Sequence, residues 1–261
     1  MSQAIAVLSG ATGGIGQAIA KRLAQRHYRL VLLGRQQQLL DSLISELPSP
    51  QCGHHIGLSV DLAMTNDINH VIDLLSGIGR CDLLINNAGV NSMQPLQTLS
   101  TTQIDNMLSV NIRAPMLLSQ GLLAALSQAR GTIINVGSSF GAIGYPLQSH
   151  YCASKFALRG FSEALARELC DSAITVKYFA PRATHTAINS DKVVALNTAL
   201  GNAMDTPDYV ADEFIRLLDS TERQRSVGKK EAFFAKVNAL WPTLVDNALA
   251  KQLPVIKKLM R

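Results

Sequence analysis

Tyr151 and Lys155 stand four residues apart in the stretch from Ser138 to Lys155, SSFGAIGYPLQSHYCASK, and their types and spacing suit proton transfer. If residues 150–170 form a helix, that separation puts both side chains on one face, one turn apart. An ammonium about 4 Å from a phenol, at an effective dielectric of about 20, is worth ~4 kcal/mol, or at most ~3 pKa units. The spacing predicts a phenol drawn toward neutral pH, able to give a proton to a carbonyl oxygen as hydride reaches carbon, or to take it back. Ser138 is a second hydroxyl able to bond the same oxygen. A Tyr-x-x-x-Lys arises by chance on many surface helices, so the pair gains meaning only from the elements that hold it.

Those elements begin with a strand, a glycine turn and a helix: AIAVLSG at 4–10, ATGGIG, then QAIAKRLAQRH. Gly10, Gly14 and Gly16 permit a tight turn and close backbone approach by a pyrophosphate, and the helix start offers free N–H groups and a positive dipole end. Their placement after an apolar strand and before a patterned helix reads as a dinucleotide site. The second strand, RLVLLGR at 29–35, ends without the carboxylate that would bind a ribose 2′-hydroxyl. Arg35 stands past its end instead, where a guanidinium would hold a 2′-phosphate, which favours NADP over NAD.

A helical stretch at 36–47 and a PSP break precede a third strand, HHIGLSV, ending at Asp61, whose carboxylate could accept from an adenine amine. His54 and His55 have no partner at metal spacing and read as strand-edge residues, and no metal site is expected. A helix at 66–76 leads to a fourth strand, CDLLI at 81–85, and to Asn86-Asn87-Ala88-Gly89, a loop suited to close passage by a ligand. A long helix at 101–128 carries Asn111 and a bend expected at Pro115. GTIINVGSS at 131–139 is the fifth strand and ITVKYFAPR at 174–182 the sixth.

With 261 residues, 47% hydrophobic and 16% charged, the chain can bury a full core as an α/β domain. Cys52, Cys81, Cys152 and Cys170 lack metal or redox spacing and read as small hydrophobes. Residues 4–8 are too short and lack the basic leader of a secretory or membrane segment, so a cytoplasmic protein is expected.

In their order, SGATGGIG, Asp61, NNAG, Asn111, Ser138, YCASK and the Pro181 loop resemble the single-domain short-chain dehydrogenases/reductases over about residues 3–190. The resemblance implies a Rossmann-type doubly wound parallel sheet with helices on both faces, binding NAD(P), which Arg35 narrows to NADP(H). It implies that Ser138 polarises the substrate oxygen, Tyr151 acts as acid or base, Lys155 lowers the Tyr151 pKa and holds the nicotinamide ribose, and Asn111 anchors a proton-relaying water. It extends the cofactor site to Thr12, Ile15, Leu62, Asn87, Ala88, Gly89 and Pro181, with Thr184 and Thr186 as candidates to hydrogen-bond the carboxamide or pyrophosphate.

Three departures qualify it. Ser9 replaces the usual Thr, keeping the hydroxyl. Arg182 replaces the glycine usual after Pro181, and a cation there would reach a cofactor phosphate or reshape the pocket mouth. After 223–230, RQRSVGKK, some thirty residues follow where ketoacyl reductases of this kind close with a short apolar strand.

The expected reaction interconverts a carbonyl and a secondary alcohol on a partly apolar substrate, lined by Met93, Phe140, Ile143, Tyr145, Leu147 and Ile188 on loops 91–97, 139–149 and 183–204. The alternatives are a 3-oxoacyl-thioester reductase, which needs a basic docking patch, and a non-catalytic NADP-binding regulator. The helices at 101–128 and 150–170 resemble those that pair in the family, so a homodimer or homotetramer is expected.

The chain divides at residue 228 into a catalytic domain, 1–228, and a C-terminal helical extension, 229–261. Seven basic residues against Glu231 and Asp246 give 229–261 the chain's whole formal charge of +5, which argues against a nucleic-acid surface. Phe233, Phe234, Val237, Leu240, Trp241, Leu244, Val245 and Leu249 recur at helical steps, restarting at Pro242. The stripe is expected to pack on protein or to lie on an anionic membrane surface as a peripheral contact.

Overall fold

The computed structural model describes residues 3–260. Arg261, counted with the basic tail, lies outside the described residues, as do the first two residues of the domain 1–228. Apolar runs and amphipathic stretches alternate as β1 (Ile5–Ser9), α1 (Gly14–Gln25), β2 (Arg29–Gly34), α2 (Gln37–Glu46), β3 (Ile56–Ser59), α3 (Thr65–Ile78) and β4 (Leu83–Asn86). Then come α4 (Thr101–Leu108), α5 (Ala114–Gly121), α6 (Leu123–Ala129), β5 (Thr132–Val136), α7 (Ser149–Glu168), β6 (Thr175–Ala180), α8 (Asp191–Ala199) and α9 (Pro207–Asp219). The chain continues through β7 (Gln224–Ser226), α10 (Lys229–Leu240) and α11 (Pro242–Leu259).

All seven strands are parallel, in the order β3-β2-β1-β4-β5-β6-β7. Crossover helices cover both faces, so the central strands bury every side chain and read as continuous apolar runs. Ile19, Leu23, Leu40, Phe214 and Leu217 of α1, α2 and α9 pack on one face. Ile68, Val71, Leu118 and Leu165 of α3, α5 and α7 pack on the other. The strand order reverses between β1 and β4, which opens a crevice at their carboxyl ends.

A polar seam crosses this core. Asn86 Nδ2 donates to Asn135 Oδ1 at 2.8 Å, Asn135 Nδ2 to Ser162 Oγ at 2.8 Å, and Ser162 Oγ to Leu158 O at 2.7 Å. It ties β4, β5 and α7 together. His55, read as a strand-edge residue, uses Nδ1 to accept from the Leu30 N–H at 3.1 Å.

Four features differ from the sequence reading. The helix expected over 101–128 is three helices: a π-turn at Ser109–Arg113 joins α4 to α5 just before Pro115 rather than at it, and α5 breaks from α6 at Leu122. Ala114 N–H reaches back five residues to Ser109 O, a register shift that a residue without an N–H at 115 favours. The loop 183–204 contains α8, and the amphipathic α9 follows it. RQRSVGKK contains β7, a short polar edge strand pairing with β6, so the sheet closes with a strand after all.

The fourth difference is the extension. It restarts at Pro242 as expected, but its apolar residues do not share one face: Val245 and Ile256 are buried while Phe233, Leu240, Trp241 and Leu244 are exposed. No helix of the described residues is long and apolar enough to cross a membrane.

Candidate active site

The crevice at the β1/β4 switch is a cleft of about 1560 Å³. The turn before α1 shapes its floor. Gly10 has φ +64, and a Cβ there would lie 2.8 Å from Ala88 Cα; a Cβ on Gly14 would lie 2.7 Å from Thr186 Cγ2. Both positions therefore exclude side chains where the chain passes closest. Ser9, at the family's Thr position, accepts from the N–H groups of Asn87 and Ala88 at 3.0 and 3.1 Å and donates to Ile85 O, while Asn87 Nδ2 donates to the Ser9 and Gly10 carbonyls. The retained hydroxyl thus locks the Asn87-Ala88-Gly89 loop onto the glycine turn.

Thr12, Ile15, Gly16, Arg35, Asp61, Leu62 and Pro181 also line the cleft, as expected. Arg35 is exposed just past β2, with no ion-pair partner among the described residues. Asp61 Oδ1 accepts from the Ala63 N–H at 2.9 Å, which fixes its own turn. Thr184 Oγ1 donates to Arg182 O, whereas Thr186 Oγ1 is buried with no partner. An unpartnered buried hydroxyl on a residue packed against the glycine turn, together with the free N–H groups of a helix start, is a donor set that fits a pyrophosphate. The residues present therefore fit a dinucleotide.

Tyr151 and Lys155 lie on the first turns of α7, both buried at the cleft wall beside Ser138. Ser138 Oγ accepts from the Phe140 N–H at 3.2 Å, so its own proton is left to donate. Lys155 Nζ donates to Val136 O at 3.1 Å and sits 5.7 Å from the Tyr151 ring centroid, over the ring. Burial dominates: it pushes the Tyr151 phenol above its ordinary value, against a smaller lowering by Ser138, and pulls Lys155 down to about 8. Burial thus acts on the phenol against the lowering expected from the ammonium.

Asn111 lies in the π-turn, fully buried. Its side chain clamps Val90, accepting from its N–H at 2.8 Å and donating to its carbonyl at 3.0 Å, and also bonds Ser154 Oγ. The α-helical donor to the Asn111 carbonyl would be the N–H that Pro115 lacks.

The Arg182 guanidinium bonds both oxygens of Asp205 and reaches Glu231 of α10 at 3.4 Å, which anchors the extension to the 182–205 loop. Of the two expectations for this cation, the contacts match a reshaped pocket mouth, and Arg182 lines the cleft wall. Met93, Phe140, Ile143, Tyr145 and Ile188 line the cleft as expected; Leu147 does not, its carbonyl instead accepting from the Gln94 N–H. Phe140 stacks on Tyr145 at 5.0 Å and meets Tyr151 edge-on, giving an aromatic wall beside the reacting groups. Sequence reasoning missed Leu196, Phe234 and Leu249, which complete the wall from α8, α10 and α11. The apolar spacing of the tail was visible, but which cleft it would face was not.

The short chain dehydrogenase family model matches residues 4–196, and the chain belongs to that family. It is 35% identical over 221 residues to the 3-oxoacyl-[acyl-carrier-protein] reductase of Bos taurus, covering 83% of this chain and 91% of that protein. It is 33% identical over 224 residues to carbonyl reductase family member 4 of Xenopus laevis, covering 84% and 92%. A solved metagenomic short-chain oxidoreductase in complex with NADP matches with a TM-score of 0.71 and 31% identity, over 87% of this chain and 97% of its own.

Proposed function

We propose that the protein is an NADP(H)-dependent oxidoreductase that interconverts a carbonyl and a secondary alcohol on a partly apolar substrate. The convergence of Ser138, Tyr151 and Lys155 on a cleft whose floor is the Gly10–Gly16 turn carries this reading. Arg35 supports NADP over NAD, and the NADP held by the metagenomic relative agrees with it.

When bound, the reduced nicotinamide supplies a hydride to the carbonyl carbon. Tyr151 gives its phenolic proton to the carbonyl oxygen, and Ser138 donates a hydrogen bond to the same oxygen. Lys155, buried with a pKa near 8, stands next to Tyr151 as the group that restores the proton, with a water on the Asn111 carbonyl as the route to solvent. A phenol held protonated by burial favours reduction at neutral pH. Met93, Ile143 and the Phe140–Tyr145 stack suit an apolar or aromatic substituent.

A second reading, reduction of a 3-oxoacyl thioester, is favoured by Lys229 and Lys230 at the cleft rim, where an acidic carrier would dock, and by the bovine relative. A non-catalytic sensor of NADP finds no support in a site that keeps all four groups. Exposed Leu108, Met116 and Phe156 on α4, α5 and α7 support a dimer through these helices. The four free thiols suit a reducing compartment such as the cytoplasm. The test is a panel of ketones, aldehydes and acyl thioesters with NADPH or NADH, followed by cofactor absorbance. Turnover of apolar ketones with NADPH is expected; turnover of acyl thioesters alone would select the second reading, and none at all would remove both.

A further inference from the structure

The corner where α10 turns into α11 is an apolar patch with a cationic border. Phe233, Lys236 and Leu240 recur at steps of three and four along α10, one side of the helix, while Asn238 on the other side bonds Ala142 O at 2.9 Å. Trp241 and Leu244 continue the patch across the junction. Phe233, Leu240, Trp241 and Leu244 are 63%, 67%, 59% and 60% exposed, although the same segment buries Val245 and Ile256 against the body. Four large apolar side chains left in solvent within twelve residues mark an interaction surface.

Charge decides between occupants. Lys229, Lys230 and Lys236 are exposed on α10, and its one acid, Glu231, is held by Arg182. A second copy of the chain meeting this patch about a two-fold axis would set Lys236 and its neighbours against themselves, like charge on like. An anionic lipid surface instead takes the lysines at its headgroups, the indole at the interface and the phenylalanine and leucines just below. We propose that the α10–α11 corner docks on an anionic lipid surface. Phe234, beside Phe233, and Leu249 line the cleft from these same helices, so docking would bring that wall of the cleft close to the lipid surface. The docking itself stands apart from the reaction proposed above.

The test uses the full chain and vesicles of phosphatidylcholine, alone or mixed equally with phosphatidylglycerol. Trp241 is the chain's one tryptophan, so its emission reports this corner alone. Co-sedimentation with the anionic vesicles at low salt, a blue shift of Trp241 emission, and loss of both in high salt are expected. Lys229→Glu/Lys230→Glu/Lys236→Glu is expected to weaken binding at least a hundredfold, since each cation near the surface contributes roughly fivefold. Phe233→Ser/Leu240→Ser is expected to abolish the blue shift. Both variants change exposed side chains, and an unchanged melting temperature checks the fold. No binding to anionic vesicles at low salt, equal binding to neutral ones, or undiminished binding by the serine variant would overturn the proposal. A serine variant that changes oligomeric mass while vesicle binding stays intact would assign the patch to a second copy instead.

Discussion

Arg182 grips Asp205 through two parallel hydrogen bonds, Nε to Oδ2 at 2.8 Å and Nη2 to Oδ1 at 2.7 Å. Asp205 is nearly buried, and its backbone pairs with Ala183 and His185, so the guanidinium closes the 182–205 loop on itself. Its third contact, Glu231, joins that loop to α10. One side chain thus ties the cofactor side of the cleft to its C-terminal wall. Neighbouring carboxylates raise the Arg182 pKa further, the Asp205 hydrogen bonds most, so the clamp stays charged at any working pH.

Arg182→Ala leaves the Asp205 carboxylate buried and unpaired. A loss of ~3 kcal/mol of stability is expected, because removing one partner of a buried pair leaves the other uncompensated. KM for an apolar ketone should rise more than the Kd for NADPH, since the α10–α11 wall loosens first. Calorimetry and steady-state kinetics on one preparation check both; a larger change in NADPH binding would restore Arg182 as a cofactor ligand.

Tyr151→Phe removes only the proton donor. Turnover should fall at least a hundredfold while NADPH binding, followed by fluorescence titration, stays within about threefold. Substantial residual turnover would reassign the acid.

Arg35→Ala is expected to weaken NADPH roughly ten- to a hundredfold and to leave NADH nearly unchanged, because only NADPH offers a 2′-phosphate to a charge-assisted contact. Equal losses for both cofactors would show that Arg35 is not the selector.

Lys155→Met should destroy activity yet stabilise the cofactor-free protein. Burial holds the Lys155 pKa at about 8, below an unfolded value of ~10.4. The unfolded chain therefore binds more protons between these values, the burial cost is fully present below pH 8, and stability rises with pH through the window. The methionine variant should melt higher at pH 7, by at most ~3 kcal/mol, with the gain shrinking toward pH 10. A lower melting temperature at pH 7 would mean that the Lys155–Val136 hydrogen bond outweighs desolvation.

The sheet and the residues gathered at the cleft were legible because their signals are local. Apolar runs, a glycine turn and a four-residue spacing each depend on neighbours in sequence. The spacing put Tyr151 and Lys155 on one face but did not say that the ammonium would bond Val136 O, or that burial would act on both groups. β7 escaped because Gln224-Arg225-Ser226 is short and polar, held as a strand only by pairing with Tyr178-Phe179-Ala180. The role of Arg182 rests on Asp205 and Glu231, 23 and 49 residues away, and no pattern within a single element announces such a contact.

The seam from Asn86 through Asn135 to Ser162 sets an angular tolerance for the chemistry. Ser162 lies eleven residues beyond Tyr151 on α7, three turns later and nearly the same side of the helix, so the bond that holds Ser162 to β5 also fixes the azimuth of Tyr151. A side chain at the helix rim, about 5–6 Å from the axis, swings about 2 Å for a rotation of about 20°. Misplacement by about 1 Å is enough to cost about a hundredfold in rate. An amide buried within the sheet, that of Asn135 on β5, thereby sets how far the Tyr151 phenol can stray.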